Sequence, residues 1–319
     1  NYDQAAATRE PAVRNYHNIA PVNDDLRFDY ANALMSRNNP DWKTAADALG
    51  RINGGVFGQF AEVLAQRATC YHKLGDYNTS LNLAKEHLSK FKDHEMSGDT
   101  RFLRAENMFL LGQADNAIKA YQEFLAAHED HSNTLAAAFR IAQIHHHEGR
   151  WDQSLAAATP LLASKPEGPL FAQLAFLVGN SHFQKEQWKA SLEPLETFIA
   201  TRVEKKGKNS QRVSTEPIVD TALIQLAVAY DREEESGKAL EHLETLTRFY
   251  PGPSPHLPIA LADQGRLAYE AEDLSLSRQS LERFLNEDRA QGTGHLQRVA
   301  KAQSISEADL AALRQLTDR

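Results

Sequence analysis

Four turn positions, Gly75, Gly112, Gly149 and Glu186, follow one another at 37-residue intervals. A fixed period of that size restricts a chain to a repeat architecture, in which each unit buries its apolar side against its neighbours. The stretch Leu135–Pro166 displays one unit in full: a helix, a glycine turn, a second helix and a closing proline. With the turn residue placed at position fifteen, seven units are expected at roughly 26–59, 61–96, 98–132, 135–168, 172–203, 220–253 and 258–289.

Two positions in this register hold only small residues. Position eight reads Ala33, Ala68, Ala105, Ala142, Gly179, Ala227 and Gly265, and position twenty reads Ala45, Ser80, Ala117, Ser154, Ser191, Ala239 and Ser277. These are the places where the two helices of a hairpin cross, and a larger side chain would push the backbones apart. Bulk is concentrated elsewhere. Trp42, Trp151 and Trp188 stand at position seventeen, and Ile52, Phe124, Leu161, Phe198, Leu246 and Phe284 at position twenty-seven, where they are expected to pack against the next unit. His87 takes position twenty-seven in the second unit, where a bulky apolar residue is expected.

Composition narrows the class further. At 319 residues the chain is too long for one ordinary core, yet no change in composition separates two globular halves. Abundant Ala and Leu at helical spacing point to an all-α fold. A net charge of −8 leaves no basic footprint for nucleic acid, and no apolar run reaches the roughly 18 residues that a membrane span needs. Cys70 is the only cysteine, which excludes an internal disulfide.

The organisation expected from these patterns is a repeat block over 1–203, formed by a leading half-unit and five hairpins, followed by an insertion over 204–216, two further hairpins over 217–289 and a C-terminal cap over 290–319. The insertion is rich in Lys, Arg, Gly and Ser without helical apolar spacing, so a flexible basic loop is expected; its charge would also suit an acidic patch or a lipid headgroup. Ser304 and Glu307 have capping-box spacing and open a short helix with Leu310, Leu313 and Leu316 on one side. Asn1–Ala20 reads as the second helix of a repeat, so the chain is expected to be a processed or trimmed piece of a longer one. Targeting information would lie upstream, leaving the compartment open between the periplasm or envelope and the cytoplasm.

The small position eight, aromatic position seventeen, small position twenty and terminal proline (Pro166, Pro251) resemble the tetratricopeptide repeat, and the likeness covers most of the chain. The period of 37 exceeds the family's usual 34, and the strong tryptophan of the first helix is missing. The junction Phe249–Ser254, followed by a helix with Ala260 and Gly265, resembles those of bacterial envelope members related to the outer-membrane-assembly lipoprotein and the Tol–Pal-associated periplasmic protein.

This resemblance implies a right-handed α-solenoid whose first helices line a concave, protein-binding face. On that face position five would present Phe102, Phe139 and Phe176, position nine Glu106, Gln143 and Asn180, and position twelve Phe109, His146 and Phe183, with Arg140 beside them. Together they would grip an extended or helical peptide through aromatic anchors edged by polar groups. For the position-five rings, sideways packing against the neighbouring helix is an equally open reading. The function implied is a non-catalytic protein or peptide scaffold; the alternatives are a building block self-associating through its repeat edges and a periplasmic envelope-assembly accessory protein.

Other chemistries find little support. Four places that hold a C-terminal carboxylate in chaperone-binding members are Ala65, Thr69, Ala136 and Arg140 here, so three of the four lack the required group. The thirteen histidines do not adopt a metal-ligand spacing; His131 and His145 are expected about 20 Å apart along one helix. No cofactor or metal is expected. No nucleophile elbow, phosphate-binding glycine loop or paired catalytic carboxylates appear, and no enzyme activity is expected.

Overall fold

Among the described residues of the computed structural model, which are 2–15, 20–52, 60–207 and 210–291, each apolar-periodic stretch is a helix. Two compact units divide the chain at Glu148/Gly149. The first contains α1 (Tyr2–Asn15), α2 (Ala20–Met35), α3 (Trp42–Gly50), α4 (Phe60–Lys73), α5 (Tyr77–Lys90), α6 (Ser97–Leu110), α7 (Ala114–Ala127) and α8 (Thr134–His147). The second contains α9 (Trp151–Ala163), α10 (Pro169–Gln184), α11 (Trp188–Ala200), the strands β1 (Val203–Gly207) and β2 (Ser210–Val213), then α12 (Pro217–Arg232), α13 (Ser236–Glu244), α14 (Leu257–Glu270) and α15 (Leu274–Gln291). A π-helical turn, Thr245–Phe249, continues α13.

The small positions do what their size requires. Ala68 and Ser80 are buried where α4 crosses α5, and the Ser80 hydroxyl donates to the Ala68 carbonyl at 2.7 Å. In the second unit Ser277 repeats this bond to the Gly265 carbonyl at 2.8 Å. A methyl group on Gly179 would lie 2.7 Å from Leu195 Cγ, and one on Gly265 2.6 Å from Leu281 Cγ, so neither helix pair admits a side chain there. Ser80 also accepts from buried Asn107, whose carbonyl oxygen lies 2.8 Å from His72 Nδ1. That chain of bonds ties α4 and α5 to α6.

The turns and junctions follow the same register. Gly75, Gly112 and Gly149 all have left-handed φ of 69–81°, which a residue without Cβ adopts freely. Glu186, Glu234 and Glu272 occupy the equivalent turns with φ of 56–62°. At four junctions, a side chain two residues ahead of the helix cap accepts the cap's backbone N–H: His94 from Met96, His131 from Asn133, Ser214 from Glu216 and Ser254 from His256. One otherwise unmet donor at each helix start is thereby satisfied.

Apolar cores fill the space between helices. Leu49, Tyr121 and Phe124 are fully buried in the first unit, and Leu195, Leu223, Leu243 and Leu246 in the second. At position twenty-seven, Phe198 and Phe284 are buried as expected, and His87 is wholly enclosed as well.

The insertion differs from the expected flexible loop. Most of it is an antiparallel hairpin inside the second unit, with Val203 opposite Val213 and Glu204 opposite Arg212. Alternation explains this: Val213 turns inward and is buried, while the charged residues between face outward. The hairpin is also fastened to the helices, through Lys205 to Glu241 at 2.6 Å and through the Thr245 hydroxyl to Gln211 at 3.2 Å. The expected cap falls, from residue 292 onward, outside the described residues.

Candidate binding face

The first helices α6 and α8 bring together four of the expected residues. Arg140 on α8 donates through Nε and Nη2 to the two carboxylate oxygens of Glu106 on α6, at 3.0 and 3.3 Å, and through Nη1 to Gln143 Oε1 at 2.7 Å. Its guanidinium lies 5.1 Å from the centre of the Phe109 ring. The paired, planar geometry is what a guanidinium can offer and an ammonium cannot. From α7, the Tyr121 hydroxyl also donates to Glu106. Burial, and next the Glu106 charge, raise the Tyr121 pKa, so this hydroxyl stays a donor.

The result is a fixed lattice more than a set of free charges. The Glu106 side chain is only 12% exposed and Arg140 32%, and each satisfies the other. What remains open toward a ligand is the half-buried Phe109 ring and the Gln143 amide, whose NH₂ makes no hydrogen bond among the described residues. His146, further along α8, is half-buried.

The position-five rings differ in exposure: Phe139 is buried, while Phe102 and Phe176 are half-buried. Phe139 is 9% exposed. Phe102 contacts Tyr121 and Phe124 with ring centres 6.0 and 5.6 Å apart, and in the second unit Phe176 contacts Phe198 at 5.2 Å. Aromatic residues of the second helices thus flank Phe102 and Phe176, which stay half-buried, whereas Phe139 is buried. In the second unit Asn180 is 6% exposed, and Phe183 sits edge-on to Trp188 at 5.1 Å while staying half-buried.

One ligand-type cluster escaped the sequence reading. Glu62, His94 and Glu95 place one possible ligand atom each within 4.8 Å of one another. The bonding of His94 opposes coordination. Its Nδ1 accepts the Met96 N–H at 3.2 Å, which leaves the ring proton on Nε2, 3.3 Å from Glu62. To ligate a metal, Nε2 would have to lose that proton and Nδ1 would present a proton to Met96 N–H. His131 repeats the arrangement, with Asn133 N–H at 3.1 Å and Asp99 at 3.5 Å. Its recurrence marks a clasp between the repeat junction and the first helix of the hairpin before it, α4 or α6. The 37-residue offset of Glu62/His94 from Asp99/His131 was the signal available for it in the sequence. Cys70 is buried, and burial pushes its thiol up to about 12, which removes it as a nucleophile at neutral pH.

No helix among the described residues is long and apolar enough to cross a membrane. A tetratricopeptide-repeat family model matches residues 99–131, the repeat formed by α6 and α7. No curated protein matches the chain. Among solved structures, the C-terminal part of a TPR repeat-containing protein from Cytophaga hutchinsonii is 14% identical with a TM-score of 0.62, over 82% of this chain and 95% of that one. MamA from Desulfovibrio magneticus is 15% identical with a TM-score of 0.46, over 60% of this chain and 95% of that one. YrrB, described as a TPR protein with an unusual peptide-binding site, is 19% identical with a TM-score of 0.47, over 61% of this chain and 93% of that one. Residues 99–131 thus match a tetratricopeptide repeat, and over most of its length the chain has the repeated-hairpin fold of the TPR repeat-containing protein from Cytophaga hutchinsonii.

Proposed function

We propose that the chain is a non-catalytic scaffold that holds a segment of a partner protein against the α6/α8 face. The supporting observation is the preorganised set of Phe109, Arg140, Glu106 and Gln143. Arg140 pins one side of the Phe109 ring and orients the Gln143 amide, so ring and amide are ordered before a ligand arrives. Preordering of that kind lowers the entropic cost of binding. The ring offers an apolar anchor and the Gln143 NH₂ a donor for a peptide carbonyl, which suits an extended segment with an apolar side chain. Charge contributes little, because Glu106 and Arg140 neutralise each other.

The test is a peptide-display selection on the full chain, followed by affinity measurements on the peptides recovered. Phe109→Ala and Gln143→Ala are expected to weaken binding about tenfold or more, the level of a central anchor, with the melting temperature little changed. Peptides that bind both variants as tightly as the wild-type chain would overturn the assignment of this face.

A further inference from the structure

The repeat register is broken in one place, and three irregularities gather there. Position twenty advances by 37 residues to Ser191 and then by 48 to Ala239, the excess being the β1/β2 hairpin. The only π-helical turn among the described residues, Thr245–Phe249, lies against β2; single π turns are concentrated at functional sites. Between hairpin and helices there is a cavity of about 530 Å³, within the ~300–1,000 Å³ range of small-ligand pockets.

Its polar side is built around one carboxylate. Glu196 Oε1 accepts from the Tyr230 hydroxyl at 3.0 Å and lies 2.9 Å from His242 Nε2. The Tyr230 and His242 rings are stacked, 4° from parallel, and Lys238 Nζ lies 4.9 Å from the Tyr230 ring centre. Burial raises the Glu196 pKa, but the hydrogen bonds from His242 and Tyr230 outweigh it and the carboxyl is held below the ordinary glutamate value. Both lysines at the cavity already have a carboxylate each: Lys205 has Glu241 at 2.6 Å and Lys238 has Glu235 at 2.5 Å. Lys238 and Lys205 both feel the Glu196 charge, but among the described residues no lysine or arginine comes within ion-pair distance of its carboxylate, and the side chain is 40% exposed.

We infer that this cavity is a second recognition site, one that takes an alkylammonium group, with Glu196 as its counter-ion and Ile199 and Val203 against the alkyl stem. An anion would meet the Glu196 charge while both lysines are already engaged. A guanidinium would be poorly matched, since Glu196 Oε1 is bonded on the protein side and a fork-to-fork pair needs both oxygens. A compact ammonium needs one free oxygen and an apolar sleeve for its methylenes. The group could belong to a lysine of a partner protein or to a free amine. The site is independent of the α6/α8 face and does not rest on its function.

The experiment follows the His242 ring signals of the full chain by NMR during titration with Nα-acetyl-lysine-N-methylamide, n-butylamine, the Nζ-acetylated lysine amide and Nα-acetyl-glutamate-N-methylamide. A saturable shift with the two amines is expected. Binding should weaken at least tenfold for the Nζ-acetylated probe and for Glu196→Gln, which keeps an oxygen acceptor for Tyr230 and His242. Tighter binding of the lysine amide than of butylamine assigns the site to a partner's lysine; equal binding assigns it to free amines. The acetylated probe on unaltered protein keeps the test valid should the variant fold poorly. No saturable shift with either amine, undiminished binding of the acetylated probe, or preference for the glutamate probe would overturn the inference.

Discussion

The early and late repeats of this chain solve the same geometric problems with different residues. The first three turns in the series use glycine at the left-handed position, and the last three use glutamate. The junctions ahead of α6 and α8 cap the next helix with a histidine ring, whereas those ahead of α12 and α14 use a serine hydroxyl. At position twenty-seven the first unit encloses both a phenylalanine and a histidine, Phe124 and His87. The register therefore fixes a conformation or a volume, and several residue types can meet it. They differ in the energy with which they do so, and in whether that energy depends on pH.

The largest expected contrast is at position twenty-seven. Phe124 is fully buried and touches Phe102, His128 and His131, so Phe124→Ala should destabilise the chain by about 3–5 kcal/mol in chemical denaturation. His87 fills the equivalent place with two buried ring nitrogens that have no hydrogen-bond partner among the described residues. His87→Phe should therefore stabilise by roughly 1–3 kcal/mol, the cost of a buried polar group left unpaired. A loss of stability on His87→Phe would show that the pocket is shaped for the smaller ring.

Acid should sharpen the same contrast. Burial, followed by the neighbouring His94, lowers the His87 pKa; burial, followed by Arg101 and His131, lowers that of His128. Both groups thus bind protons less readily folded than unfolded. Their contribution is complete above the unfolded value of about 6.5 and is lost as pH falls through the lower folded values. Melting temperature measured from about pH 7.5 down to pH 5 should fall in the wild-type chain, and His87→Phe should flatten part of that slope. Parallel slopes in both proteins would mean that other groups dominate.

The junctions predict a smaller effect. His94→Ala and Ser254→Ala should each cost about 1 kcal/mol, as for the loss of a helix-start acceptor. His94→Asn should recover most of the loss, because an amide oxygen can accept from Met96 N–H. If His94→Asn were as damaging as His94→Ala, the clasp to Glu62 would be the more important bond.

Features that depend on size and spacing were legible in the sequence. The 37-residue period located the turns, and the small residues at positions eight and twenty marked the helix crossings that Ser80/Ala68 and Ser277/Gly265 display. Features that depend on where a side chain points were not. Phe102, Phe139 and Phe176 occupy helical positions compatible with either a groove or the packing, and the Tyr121, Phe124 and Phe198 rings beside Phe102 and Phe176 could not be placed there from spacing. Arg140 was readable as a surface cation, but its engagement by Glu106 requires two residues 34 apart to face each other. The insertion reads as a loop because its alternation is short and its two valines stand ten residues apart, Val203 and Val213, so their pairing appears only once the strands have met.

The smallest effect probes the turns themselves. A residue with a Cβ in the left-handed region costs about 1–2 kcal/mol in local strain, while replacing it with glycine costs about 0.4–1 kcal/mol through the greater freedom of the unfolded chain. These partly cancel, which explains how glutamate is tolerated at 186, 234 and 272. Glu186→Gly, Glu234→Gly and Glu272→Gly should each stabilise by about 0.5 kcal/mol, and Gly75→Ala or Gly112→Ala should destabilise by a similar amount. Steric crowding does not confuse the reverse change, since no atom lies within 4 Å of a Cβ built at Gly75 or Gly112. Each value would be read from denaturant midpoints at constant slope. Unchanged or lowered stability in the glycine variants would mean that a glutamate carboxylate supplies an interaction at the turn that offsets the strain, and the turns of the two halves would then differ in chemistry as well as in backbone energy.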